Sequence, residues 1–253
     1  MEKVFNLGIP HVGEHILKEL DTPELIQCLL VSETWKVLAE NVLFKRWKGR
    51  LFEACEDGET EIVQLLLDRS NTTIDLHARS GNGMTAIMLA CSEGYDDIVK
   101  LFLDHSDKIL DLNKRGHCGM TPFMFACCQG HSDVVKLLLD QEGRNIDLNL
   151  KGDNILGETP LIMACEWGRT DVVKLLLDQS DINIDLNTRD NYGMTAFMNA
   201  CEWGRTDVVK LLLDQSDINI DLNTRDNYGM TAFMNACEWG RTDVVKLLLD
   251  QSD

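Results

Sequence analysis

Long apolar runs are missing from this 253-residue chain. No stretch approaches the ~20 apolar residues needed to cross a bilayer, and the start, Met1 to Gly8, carries no signal-like apolar segment. A protein inside the cell and off the membrane is expected. Basic residues are also short, with 24 Lys+Arg against 42 Asp+Glu and a net charge of −18. That excess repels phosphate backbones and anionic lipid, which argues against nucleic acid and membrane partners and for a protein with a basic patch. Catalytic signatures are absent too. No GxGxxG, Walker loop, HExxH or GxSxG pattern occurs, and the six histidines are scattered, so neither an enzyme nor a cofactor site is expected. His11 and His15 stand one helical turn apart, a spacing that permits a metal pair, but a solvated surface is the simpler reading and no metal site is expected.

The nine cysteines show no CxxC or Cys/His ligand spacing. Six of them, Cys55, Cys91, Cys127, Cys165, Cys201 and Cys237, recur at intervals of 36, 36, 38, 36 and 36 residues, each preceded by Ala. A position that recurs with the fold is a packing position. The small Ala-Cys pair suits a tight contact between helices carrying reduced thiols.

Beyond residue 50 the chain repeats itself. Residues 165–200 and 201–236 are identical letter for letter, and 237–253 begins a third copy. Earlier units open with the same Gly-x-Thr, as at Gly83, Gly119 and Gly157. The Thr is expected to cap a first helix, with Pro122 or Pro160 in its first turn, and a Gly after the Ala-Cys run to end it. A second helix carries Val-Val-Lys-Leu-Leu-Leu-Asp. Two short helices cannot bury their own apolar faces, so the units are expected to stack. The segment from Asp181 to Gly193 alternates apolar and polar residues and ends in turn chemistry, which suggests a short projecting hairpin or finger. The predicted fold class is mainly α, a solenoid of helix pairs with short projecting hairpins behind a three-helix module.

The string Gly119-Met-Thr-Pro-Phe-Met-Phe-Ala-Cys-Cys-Gln-Gly130 resembles the ankyrin pattern Gly-x-Thr-Pro-Leu-His-x-Ala-Ala-x-x-Gly, and Ile184-Asp-Leu-Asn187 resembles its Ala-Asp-Val-Asn. The His of that pattern is replaced by Met88, Met124, Ile162, Met198 and Met234, so apolar packing is expected where the family has a Thr–His network. The units also exceed the ~33 residues usual for ankyrin. The surplus is placed around Gln179-Ser-Asp-Ile, between second helix and finger.

Residues 1–50 do not fit the repeat and are read as a separate module, with 51–253 as an array of about six units. Helices are expected at 11–20, 23–31 and 33–40. The run from Ile9-Pro10 through Ile16-Leu17, Asp21-Thr-Pro-Glu24, Val31 and Trp35 to Trp47 resembles an F-box. The resemblance implies docking on a Skp-family linker protein, and through it on a cullin complex, with Ile9, Pro10, Leu17, Pro23, Glu24 and Trp35 as contacts. It implies a substrate-recognition adaptor of a ubiquitin ligase. The competing reading is a non-ligase scaffold or sequestering protein with a helical cap.

For the target, Trp167, Trp203 and Trp239 are the candidates, each in Cys-Glu-Trp-Gly with Glu166, Glu202 or Glu238. The diverged units place Asp57, Glu93 or Gln129 there, so the position is expected to be solvent-accessible and the Trp ladder to bind protein. Asn199, Asn235, Tyr192 and Tyr228 are expected to border it. Because Val244 to Leu249 keeps the letters of the internal helix, the last unit is expected to fray, or the array to continue beyond Asp253.

Overall fold

The computed structural model describes residues 17–29, 33–47, 50–68, 75–105, 110–116, 119–141, 146–179, 184–214 and 220–250. Among them are fourteen helices and no strand. No helix in these residues is long and apolar enough to cross a membrane.

Helix α1 (Thr22–Cys28) starts where Asp21 accepts the Glu24 amide at 2.9 Å and Glu24 accepts the Asp21 amide at 2.9 Å, with Pro23 in the first turn. Helix α2 (Glu33–Trp47) runs seven residues past its expected end at Glu40. Trp35, Ala39, Val42 and Leu43 recur at helical spacing and are all buried, so one continuous face carries the helix through the polar Glu40-Asn41 pair. Arg46 ties α2 back to the start of the module by donating to the Leu20 carbonyl at 2.8 Å. The first expected helix lies largely outside the described residues, apart from a helical turn at 17–19.

The repeat then alternates first helices, α3 (Leu51–Glu56), α5 (Ala86–Glu93), α7 (Pro122–Gln129), α9 (Pro160–Glu166), α11 (Ala196–Glu202) and α13 (Ala232–Glu238), with second helices. The second helices are α4 (Thr60–Asp68), α6 (Asp96–Asp104), α8 (Ser132–Leu139), α10 (Thr170–Leu177), α12 (Thr206–Leu213) and α14 (Thr242–Asp250). Each first helix packs on the first helix before it, and each second helix on the second helix before it. Helix α2 continues the second-helix layer by packing on α4, so packing crosses the boundary expected at residue 50.

Thr side chains cap α7, α9, α11 and α13 as the sequence predicts, whereas α3 starts after Arg50 with no side-chain cap. Thr121 Oγ1 accepts the Met124 amide at 3.2 Å, and Thr159 and Thr195 do the same to Ile162 and Met198 at 3.3 Å. Where the family carries His, Met124 and Met88 are fully buried and their sulfurs accept the Thr121 and Thr85 amides at 3.4 Å. Thioether thus fills the space and takes over part of the acceptor role. Five of the six recurring cysteines, Cys55, Cys91, Cys127, Cys165 and Cys201, are buried in the core of the stack, whereas Cys237, on α13 with no first helix packed beyond it, is exposed. Burial pushes the Cys55 thiol up to about 12, and those of Cys91, Cys165 and Cys201 higher still, which leaves them protonated and unreactive.

Neighbouring units are also bolted by side chains. Arg169, Arg205 and Arg241, each just ahead of a second helix, donate through Nε to the carbonyls of Cys128, Glu166 and Glu202 in the unit before, at 2.9, 2.7 and 2.7 Å. In the earlier unit His131 does this to the Ser92 carbonyl at 2.8 Å.

Candidate ligand groove between the fingers and the first helices

The fingers are hydrogen-bonded turns. In one of them the Asp190 carboxylate accepts the amides of Tyr192 at 2.8 Å and Met194 at 2.9 Å, and the Asp190 amide donates to the Met194 carbonyl at 2.8 Å. Asp226 repeats the pattern with Tyr228 and Met230. Successive fingers are then joined side by side. Asn191 Nδ2 donates to the Ile155 carbonyl and Asn227 Nδ2 to the Asn191 carbonyl, both at 3.0 Å, while Arg189 reaches forward to the Arg225 carbonyl at 2.6 Å. These links hold Tyr192 and Tyr228 in rank opposite the ends of the first helices.

Between the finger row and α9, α11 and α13 lies a groove of about 530 Å³. It is lined by Tyr192, Tyr228, Trp203 and Trp239 and by Leu156, Met194 and Met230. Six carboxylates line it, from Glu158, Glu166, Asp190, Glu202, Asp226 and Glu238, together with Asn199 and Asn235. No Lys, Arg or His is among these residues. The site suits a ligand that is cationic and presents apolar or aromatic-stacking surface.

Burial and electrostatic crowding raise two of these carboxyls. Burial, then a hydrogen bond shared with Glu166 and repulsion from Glu166 and Asp190, pushes Glu158 up to about 8, against a smaller opposing bond from Asn154. Glu202 is raised as well, first by burial and then by Asp226, Glu166, Asp190 and Glu238. Because the folded chain holds the Glu158 proton longer than the unfolded one, stability falls as pH rises from the ordinary carboxylate range towards about 8. Glu158→Gln is therefore expected to be nearly neutral at acid pH and to stabilise the chain by roughly 1–3 kcal/mol above pH ~8. Urea unfolding of both proteins at pH ~5 and ~9 measures this, and parallel pH profiles would refute it.

Of the sequence-predicted target residues, Trp203, Trp239, Glu166, Glu202, Glu238, Asn199, Asn235, Tyr192 and Tyr228 all line the groove. Trp167 does not, although it is as exposed as the other two, at 51% against 44% and 56%. Sequence reading missed Glu158, Asp190, Asp226 and Leu156. Glu158 did leave a signal, since it stands after Gly157 where the other units have Met84, Met120, Met194 and Met230. The finger holding Leu156 is also the one lengthened by two residues, which accounts for the 38-residue interval. The surplus assigned to Gln179-Ser-Asp-Ile falls mainly outside the described residues.

The linker contacts divide. Leu17 and Trp35 are 0% and 2% exposed and belong to the buried core of the chain rather than to its open surface. Their apolar bulk is covered from within. Pro23 and Glu24 are exposed, with the Glu24 carboxylate already engaged in the α1 cap. Ile9 and Pro10 lie outside the described residues.

Among known proteins, the family model described as ankyrin repeats (3 copies) matches residues 21–116, 51–151, 108–190, 144–226 and 183–253. The first match begins inside the amino-terminal module. A solved structure of EF0377, an ankyrin repeat protein, aligns with a TM-score of 0.67 and 28% identity over 79% of this chain and 96% of that one. A chain from the structure of the Bd0816 predatory endopeptidase from Bdellovibrio bacteriovorus in complex with immunity protein Bd3460 aligns with a TM-score of 0.65 and 26% identity. That match covers 79% of this chain and 97% of that one. No curated protein sequence matches. With its stacked helix pairs, Thr caps and ranked fingers, the chain belongs to the ankyrin-repeat family.

Proposed function

We propose that this chain is a non-catalytic recognition subunit that captures a target protein in the groove between fingers and first helices. The observation that carries this is the convergence of two Trp and two Tyr rings with six carboxylates in one groove. Exposed Trp is enriched where proteins bind, and unbalanced negative charge selects a basic partner. Changing Trp167, Trp203 and Trp239 together to Gln, the residue at Gln129, is expected to leave the melting temperature nearly unchanged and to weaken target capture. A fall of many degrees would assign the rings to the core and end the binding role.

The finer reading is an adaptor of a cullin-type ubiquitin ligase, with the amino-terminal module docked on a Skp-family linker and the target lysine held near a conjugating enzyme by proximity alone. The F-box-like spacing through Pro23, Glu24 and Trp35 supports it, as does the exposure of Pro23 and Glu24. The packing of α2 on α4 favours the second reading, a scaffold whose first helices cap the stack. Size-exclusion chromatography with a purified Skp-family linker separates them. The adaptor reading expects a complex that Pro23→Asp dissolves and the Trp changes leave intact. No complex would leave the scaffold.

A further inference from the structure

The last two complete first helices carry the same letters, yet their asparagines differ. Asn199 Nδ2 donates to Thr195 O at 3.2 Å and lies 3.4 Å from Asp190 Oδ2. Asn235 is 4% exposed, lines the groove, and its Nδ2 has no hydrogen-bond partner. A buried amide donor left open costs free energy until an acceptor arrives. It cannot be met by a cation, so whatever satisfies the carboxylates must also bring an oxygen. A peptide main chain does both, whereas a polyamine does not.

The repeat sets the spacing. Helices α9, α11 and α13 pack directly on one another, and stacked helices sit about 8–10 Å apart. Equivalent seats around Glu166, Glu202 and Glu238 therefore recur at about that interval. A polyproline-II segment advances about 3.1 Å per residue with three residues per turn, so every third side chain points the same way about 9 Å further on. Its carbonyls are also free of internal hydrogen bonds. An ordinary β-strand matches less well, because positions three apart face opposite sides.

We infer that the groove takes an extended, polyproline-II-like protein segment with lysine or arginine at every third position. Its cations sit between the Trp203 and Trp239 rings and the carboxylates of Glu202, Asp226 and Glu238, and one main-chain carbonyl accepts from Asn235 Nδ2. The inference rests on the groove being the target site. The crowding of carboxyls at Glu158 and Glu202 fits it, because a cation arriving there relieves their repulsion from neighbouring carboxylates.

Fluorescence anisotropy with a labelled peptide of Lys-Pro-Ala triplets tests it, against an isomer of the same composition with its lysines in one block. The triplet peptide is expected to bind about tenfold more tightly, to weaken with salt, and to lose about tenfold on Glu202→Gln/Glu238→Gln. Asn235→Ala is expected to weaken the triplet peptide severalfold, with melting curves confirming that each variant folds. Equal binding of the isomer would overturn the spacing, and undiminished binding to the Glu→Gln pair would overturn the cation seats. Spermine competing as well as the peptide would overturn the peptide assignment. If neither peptide bound while the Trp residues still governed target capture, this inference alone would fall and the broader reading would stand.

Discussion

Phe197→Ala is expected to destabilise the 253-residue chain by roughly 3–5 kcal/mol, and Phe233→Ala by only about 1–2 kcal/mol, although the two residues occupy the same letter of identical units. Phe197 is 2% exposed because α13 covers α11, whereas Phe233 on α13 is 39% exposed. Met198 and Met234 differ in the same way. Removing a ring from a closed interface forfeits its transfer free energy and leaves a cavity. Removing one already half in water forfeits little and leaves none. Chemical denaturation at low protein concentration reads the difference, and equal costs would mean that something covers the α13 face in solution. Hydrogen exchange gives an independent reading, with α14 expected to open before α12.

Gly119→Ala is expected to cost about 3 kcal/mol or more, while Gly229→Ala costs only the ~1–2 kcal/mol of holding an L-residue in the left-handed region. Both glycines turn a finger at positive φ, +73° and +81°. At Gly119 an added Cβ would also stand 2.5 Å from the Asp153 main chain, in the next finger, whose amide donates to the Gly119 carbonyl at 3.1 Å. Backbone cannot swing aside as a flexible side chain can, so the joint between fingers must open. At Gly229 nothing lies within 4 Å of the added atom. Melting temperatures of the two variants measure the gap, and a matching loss would show that finger-to-finger contact contributes nothing.

The repeat frame was legible because it is written several times over. Thr caps, glycine stops and apolar spacing agree in the five units that open with Gly-x-Thr, and agreement across copies identifies both helices of each pair. The exposure of the Trp ladder was legible by the same route, since Asp57, Glu93 and Gln129 occupy its position elsewhere. Covering was harder to read. An apolar pattern such as Leu17 and Trp35 states that a face must be buried but not what buries it, and here the cover comes from the chain's own helices. The groove was legible only in part. Glu158 and Asp226 enter it through finger turns that stack across units, and that convergence depends on Asn and Arg bonds spanning 36 residues.

Those spanning bonds have a hereditary consequence. Each of the identical units carries its own plugs, an arginine such as Arg205 and a finger asparagine such as Asn191, and its own sockets, carbonyls such as Glu166 O and Asn191 O. A 36-residue copy inserted or deleted in frame therefore meets matching partners on both sides without any compensating substitution. Unequal crossing-over between the identical stretches 165–200 and 201–236 can lengthen or shorten the array in whole steps. On the spacing derived for the groove, each added copy extends the stretch of ligand that can be read by about three residues, so recognition length becomes a trait that changes by counting rather than by point mutation.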